Sequence, residues 1–284
     1  MALAIALLLA AAPASDVQVV LDRLRAYDET VGNIGYELAR AGVALCPASV
    51  VPLAGLRIHT VGQYGKGVQA DARALFGLGD YPAILTLSND SAAARAGMKA
   101  GDWIMAINGT DLRSGPGYGG VARFEEMLAA ALTHPPATLV IERDGIRKSI
   151  SLTGLPGCAS RVELIPGKRL NAVTRVGDIV QVTTALVEET QSEDELAFVI
   201  AHEMAHNIND AAGRPQGRNK AVEIEADRLG LRLMRAAGYD LMAAARFWTR
   251  FGKKTGAGIF SDGSHLRTKD RVRLLAAEAQ KLAQ

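Results

Sequence analysis

Residues 202–206 read His-Glu-Met-Ala-His, and a second acidic segment, Glu223-Ile-Glu-Ala-Asp227, begins seventeen positions after His206. Two imidazoles at i and i+4 project from one face of a helix. The glutamate between them, Glu203, can reach a metal-bound water without being a ligand itself. On a second helix Glu223 and Asp227 are again one turn apart, which suits one carboxylate that binds a metal and one that orients a ligand. Three protein ligands leave a fourth position on a zinc ion for water, whose pKa the ion lowers toward neutrality. A base at Glu203 then accepts the proton of that water and delivers it to a leaving amine. The chemistry this pattern points to is hydrolysis by an activated water.

The elements that must position these groups are legible nearby. The run Glu195-Leu-Ala-Phe-Val-Ile-Ala-His-Glu-Met-Ala-His206 has no Gly or Pro and a wide apolar face, so it reads as a largely buried helix. Ser192 and Glu195 stand at capping-box spacing before it. Residues 179–184 alternate apolar and polar over part of their length and read as a strand. Residues 17–45 have helical periodicity with Asp22, Arg23, Arg25 and Glu29 on a polar face, and residues 55–61 read as a further strand. His59 on that strand reads as structural.

HEMAH followed by EIEAD resembles the HExxH gluzincin metallopeptidase family that contains the HtpX heat-shock protease, the CAAX prenyl endopeptidase, and the Oma-type and BepA-type proteases. The resemblance extends upstream to Leu170-Asn-Ala-Val and Gly177-Asp-Ile-Val-Gln-Val-Thr-Thr-Ala-Leu186. Downstream it reaches Ser264-His265-Leu-Arg-Thr-Lys-Asp-Arg271, where Ser and Leu replace the family's usual Thr and Pro. It covers roughly residues 160–280. It implies an α+β, zincin-like fold, mostly helical with a small sheet. It further implies that His202, His206 and Glu223 bind one Zn2+, that Glu203 is the general base, and that Asp227 orients a ligand histidine. His265 and Arg271 match positions near the metal cleft. A cation or imidazole there would stabilise the oxyanion, and for Arg271 a structural ion pair is the equal alternative. In the family the region of the 179–184 strand lies beside the substrate, where an extended peptide can add as a strand.

Residues 76–152 resemble a PDZ domain of the bacterial protease-associated kind. The match centres on Ser91-Ala-Ala-Ala-Arg-Ala-Gly97 and Gly101-Asp102-Trp-Ile-Met-Ala-Ile107-Asn108-Gly109, with a helix at 124–132 and a strand at 138–143. Asp144-Gly145 between two alternating apolar runs is a strong hairpin signal, and Gly97 can end a short helix at 92–96 with positive φ. By that resemblance Phe76-Gly-Leu-Gly79 would cradle a peptide C-terminus ahead of a strand near 84–87. Asp80 is an unfavourable neighbour for a carboxylate. The module either binds peptide or gates the cleft, since a fold does not decide a function.

The expected organisation is a signal peptide at 1–14, the N-terminal part of a peptidase domain at 15–75, the PDZ-like insertion at 76–152, and the catalytic part at 153–284. The first fourteen residues are apolar and end in Ala12-Pro-Ala14, a small-x-small cleavage site, although no Lys or Arg precedes the apolar run. That run is too short to span a membrane, and no later stretch reaches spanning length. The expected location is therefore periplasmic or secreted.

Cys46 and Cys158 flank the insertion. They are either a disulfide suited to an oxidising compartment or two unrelated buried thiols. As a disulfide, the closed loop would contribute about 4–5 kcal/mol by chain entropy.

A net charge of +2, from 32 basic and 30 acidic residues, gives no argument for nucleic acid. The partners expected are unfolded or misfolded protein or peptide substrates, with a peptide C-terminus at the PDZ-like groove. A zinc endopeptidase in envelope protein quality control is the leading reading. A non-catalytic, zinc-containing peptide-binding or chaperone-like protein is the alternative, and a retained Glu203 weighs against it because a structural zinc site needs no base.

Overall fold

Ser15 opens the first helix: its hydroxyl accepts from the Gln18 amide while the Gln18 side chain accepts from the Ser15 amide, which closes a capping box. The computed structural model describes residues 15–113, 119–175, 178–217, 219–255 and 266–284, with backbone only at 175 and 253–255. The helix so begun, α1 (Asp16–Ala41), buries Val31, Ile34 and Leu38. A short strand β1 (Val50–Leu53) follows, then β2 (Leu56–His59), α2 (Gln69–Phe76), β3 (Ala83–Leu87) and α3 (Ala92–Arg95). Next come β4 (Trp103–Ile107), β5 (Thr110–Asp111), α4 (Gly119–Leu132), β6 (Ala137–Arg143), β7 (Ile146–Leu152) and β8 (Leu155–Cys158).

These strands form an antiparallel sheet in the order β2-β3-β4-β6-β7, with β5 beside β4. Phe124 and Leu132 of α4 share one core with Ile84, Ile104 and Leu139 of the sheet. Asp144 (φ 53°) and Gly145 (φ 74°) make the two-residue turn between β6 and β7. Positive φ at both positions matches the right-handed twist of the flanking strands. Separately, β1 and β8 pair as a two-stranded ribbon, and the Cys46–Cys158 disulfide joins the end of β8 to the segment between α1 and β1.

Two expectations change here. The strand assigned to the N-terminal part of the peptidase domain, β2, pairs with β3 and belongs to this sheet, so a boundary at residue 76 cuts through the module. Alternation marks a strand but cannot name its partner, because pairing is long-range. The 84–87 strand, β3, pairs along its length with β2 on one side and meets β4 at Ala83 and Ile84 on the other, so the terminal strand of the sheet is β2. The 76–79 loop is engaged internally as well. Gly77 is left-handed (φ 61°) after α2, its carbonyl accepts from Trp103 Nε1, and a Cβ on Gly79 would strike the Trp103 ring.

The remaining chain builds a helical half. β9 (Arg161–Ile165), β10 (Ala172–Arg175) and β11 (Ile179–Thr183) form a small sheet in the order β10-β11-β9, and α5 (Thr184–Glu189) follows. The 179–184 strand, β11, is therefore central, hydrogen-bonded on both sides, and offers no edge for an added peptide strand. Four helices complete the half: α6 (Glu193–Ala211), α7 (Lys220–Ala237), α8 (Met242–Thr255) and α9 (Thr268–Ala283). They share a core with α1 and the small sheet. The architecture is α+β. Among the described residues no helix is long and apolar enough to cross a membrane.

Candidate metal centre

The Ser192 hydroxyl accepts from the Glu195 amide and fixes where α6 begins. The reciprocal half of the expected capping box is absent. The Glu195 carboxylate accepts instead from the Gln191 amide at 2.8 Å and pairs with Arg250 at 2.6 Å, tying α6 to α8. The first residue of α7 is set in the same way by Asn219, whose side-chain oxygen accepts from the amides of Ala221 and Val222. That start places Glu223 in the first turn of α7 and Asp227 one turn later.

Helices α6 and α7 meet at His202. A Cβ on Gly230 would lie 3.2 Å from the His202 amide nitrogen, so the close approach depends on that glycine. Across the junction, His202 Nε2 lies 3.3 Å from Glu223 Oε2 and 3.3 Å from His206 Nε2, while His206 Nε2 lies 3.8 Å from Glu223 Oε1. One ligand atom from each of His202, His206 and Glu223 falls within 4.8 Å of the others. Ligands about 2.0–2.1 Å from a tetrahedral zinc stand about 3.3 Å apart, so two imidazole nitrogens and a carboxylate at these separations fit that ion.

Behind the ligands sits a buried charge pair. His202 Nδ1 is 3.0 Å from Asp227 Oδ1, and Arg271 grips the same carboxylate with Nε at 2.8 Å and Nη2 at 2.6 Å. The guanidinium also stacks over Trp248, 4.1 Å from the ring centroid. With Asp227 accepting at Nδ1, the imidazole carries its hydrogen there and turns Nε2 toward the metal position. Of the two readings of Arg271, this geometry is that of the ion pair, since Nε and Nη2 are both spent on Asp227. His265 lies outside the described residues.

The electrostatics follow from these contacts. Burial pulls His202 down, but its bonds to Asp227 and Glu223 together outweigh that and raise its pKa to about 9. Burial and the neighbouring His202 lower His206. Burial alone would raise Asp227, yet Arg271 and His202 hold it below the ordinary carboxylate range.

Glu203, buried beside the three candidate ligands, meets a residue the sequence did not single out. Thr174 of β10 donates its amide to Glu203 Oε2 at 2.9 Å, and its hydroxyl lies 3.0 Å from the same oxygen and 2.9 Å from the Glu203 carbonyl. No spacing rule links positions 29 residues apart on a strand and a helix. Gly230 was likewise silent, although a glycine on the buried face of an amphipathic helix signals close packing.

Comparison with known proteins agrees with the motif. Residues 145–214 match peptidase family M48. Mitochondrial metalloendopeptidase OMA1 of Schizosaccharomyces pombe (strain 972 / ATCC 24843) is 24% identical over 178 residues, which is 50% of this chain and 52% of that protein. The chain thus spans about half the length of this curated relative. Among solved structures, the HtrA-type protease AlgW with decapeptide aligns at 19% identity over 38% of this chain and 30% of that one, with a TM-score of 0.29. The HtrA3 PDZ domain bound to a phage-derived ligand (FGRWV) aligns at 19% identity over 38% and 88%, with a TM-score of 0.30. The resemblance to the HExxH gluzincins is therefore supported from two sides, and the segment that matches peptidase family M48 contains HEMAH.

Proposed function

We propose that this protein is a zinc-dependent endopeptidase that hydrolyses peptide bonds of unfolded or misfolded proteins outside the cytoplasm. The observation that carries this reading is the convergence of His202, His206 and Glu223 at tetrahedral separations with Glu203 in the adjoining turn. Zinc held there would activate a water and polarise the scissile carbonyl. Glu203 takes the proton of the attacking water and passes it to the leaving amine. Asp227 keeps His202 in the ligating tautomer, and Arg271 keeps Asp227 ionised and in place.

The sheet module is PDZ-like in this proposal, and its role is to select substrates or to gate the cleft. The Ser91 to Gly109 motif and the β6–β7 hairpin support the architecture. Gating is favoured by the junction between the halves: Arg57 of the terminal strand β2 reaches Asp28 of α1, and Arg161 of β9 pairs with Glu125 of α4. Export to the periplasm or beyond is supported by the apolar run at 1–14 and by the Cys46–Cys158 disulfide, which suits an oxidising compartment.

Glu203→Gln tests the function. With zinc stoichiometry unchanged, cleavage of an unfolded protein substrate should fall by roughly 100-fold or more. Full activity in that variant, or no cleavage by the zinc-loaded wild type, rejects the assignment.

A further inference from the structure

We infer that Thr174 is a positioning residue for the base Glu203, a role that rests on the endopeptidase reading above. A glutamate side chain has three rotatable bonds, and holding its carboxylate toward one water costs conformational freedom. Thr174 removes that freedom from two directions. Its amide fixes Oε2 at 2.9 Å, and its hydroxyl lies within 3.0 Å of both Oε2 and the Glu203 carbonyl.

The hydroxyl has one proton and two acceptors in reach, so it can donate to only one of them at a time. While Glu203 is ionised, the charge-assisted bond to Oε2 is the stronger of the two. When the carboxylate accepts the proton of the attacking water, Oε2 loses its charge and the hydroxyl can turn its own proton to the Glu203 carbonyl, while the Thr174 amide stays on Oε2. Thr174 keeps its proton throughout and changes only its acceptor. A valine has the same shape and backbone amide but can do neither.

The strand that carries Thr174 is itself fixed. Thr174 stands opposite Val180 in the β10–β11 pair, and further along Thr183 donates its amide to the Asn171 carbonyl at 3.0 Å while its hydroxyl accepts from the Asn171 amide at 3.2 Å. The small sheet therefore transmits a defined position to the base on α6.

The test compares zinc-loaded full-length wild type, Thr174→Val and Thr174→Ser on one unfolded protein substrate. It is accompanied by zinc competition titrations and crystal structures of the zinc-loaded wild type and valine variant. Thr174→Val should lower kcat roughly 10- to 100-fold, the loss of one hydrogen bond to a charged group, with KM within about twofold and zinc affinity unchanged. Thr174→Ser should recover kcat to within about threefold of wild type. An unchanged or raised kcat in the valine variant overturns the inference, and a raised value would mark Thr174 as a restraint on the base. A serine variant as slow as the valine variant also overturns it, because packing and not the hydroxyl would then be responsible. If the zinc-loaded wild type cleaves nothing, the endopeptidase reading fails separately and the crystal structures decide. A Glu203 carboxylate that departs from its wild-type position in Thr174→Val sustains the positioning role, and one that stays in place removes it.

Discussion

Each half of the molecule holds a buried aspartate gripped by an arginine, and the two pairs do different work. In the sheet module Asp102 accepts from Arg143 at 2.5 and 2.7 Å and from the Lys99 amide at 2.8 Å, closing the turn before β4. In the helical half Asp227 accepts from Arg271 at 2.6 and 2.8 Å and faces His202. The aspartates are equally buried, but the Arg143 side chain is 21% exposed and that of Arg271 is 3% exposed. Water can take over the solvation of Arg143 when its partner is lost. It cannot reach Arg271, so the cost of losing Asp227 stays in the core. One pair closes a turn while the other holds His202 of the candidate metal centre, and burial of the arginine separates them.

The largest expected effect breaks the inner pair. Asp227→Ala strands the Arg271 guanidinium and should cost about 3–5 kcal/mol in urea unfolding. It should also weaken zinc roughly 10- to 100-fold, because His202 loses the partner that sets its tautomer. Retained stability and zinc affinity in that variant would end the contrast between the two pairs.

Two buried histidines extend the comparison. His202 faces carboxylates and is raised to about 9, whereas His59 faces the Tyr64 hydroxyl at 2.8 Å and the edge of Phe76, and burial lowers it to about 4. A folded pKa below the unfolded 6.5 means that the folded state favours neutral His59. That contribution is complete above pH 6.5 and is lost as pH falls through 4. Its size is about 3 kcal/mol. Denaturation series from pH 7 to 4 should show this decline in wild type, and His59→Gln should flatten it.

The smallest effect belongs to the outer pair. Asp102→Asn should cost about 1–2 kcal/mol, since the amide keeps part of the bonding and Arg143 is solvated. Zinc binding should not change. A loss of zinc affinity here would show that the module and the metal centre are coupled more tightly than the pair geometry implies.

Helical spacing made the donor set readable. His202 and His206, and Glu223 and Asp227, are each one turn apart, and the structure brings all four side chains to one junction. The Asp144-Gly145 turn was readable for the same reason, since two φ values decide it. Strand partners were not readable. β2 was expected in the N-terminal part of the peptidase domain and pairs in the module, and β11, expected beside a substrate that adds as a strand, lies between β9 and β10. Alternation fixes which residues share a face of a strand and leaves its neighbours to the rest of the chain.

The sequence by itself determined the chemistry of the donor set, because the α-helix repeats within four residues and spacing alone puts side chains on one face. Tertiary structure decided how that set is held. It turned Arg271 toward Asp227, brought Thr174 of an edge strand to Glu203, and let α7 approach His202 at Gly230. Those contacts join residues 28 to 44 positions apart. They exist only where packing and strand pairing have already closed the chain around the site.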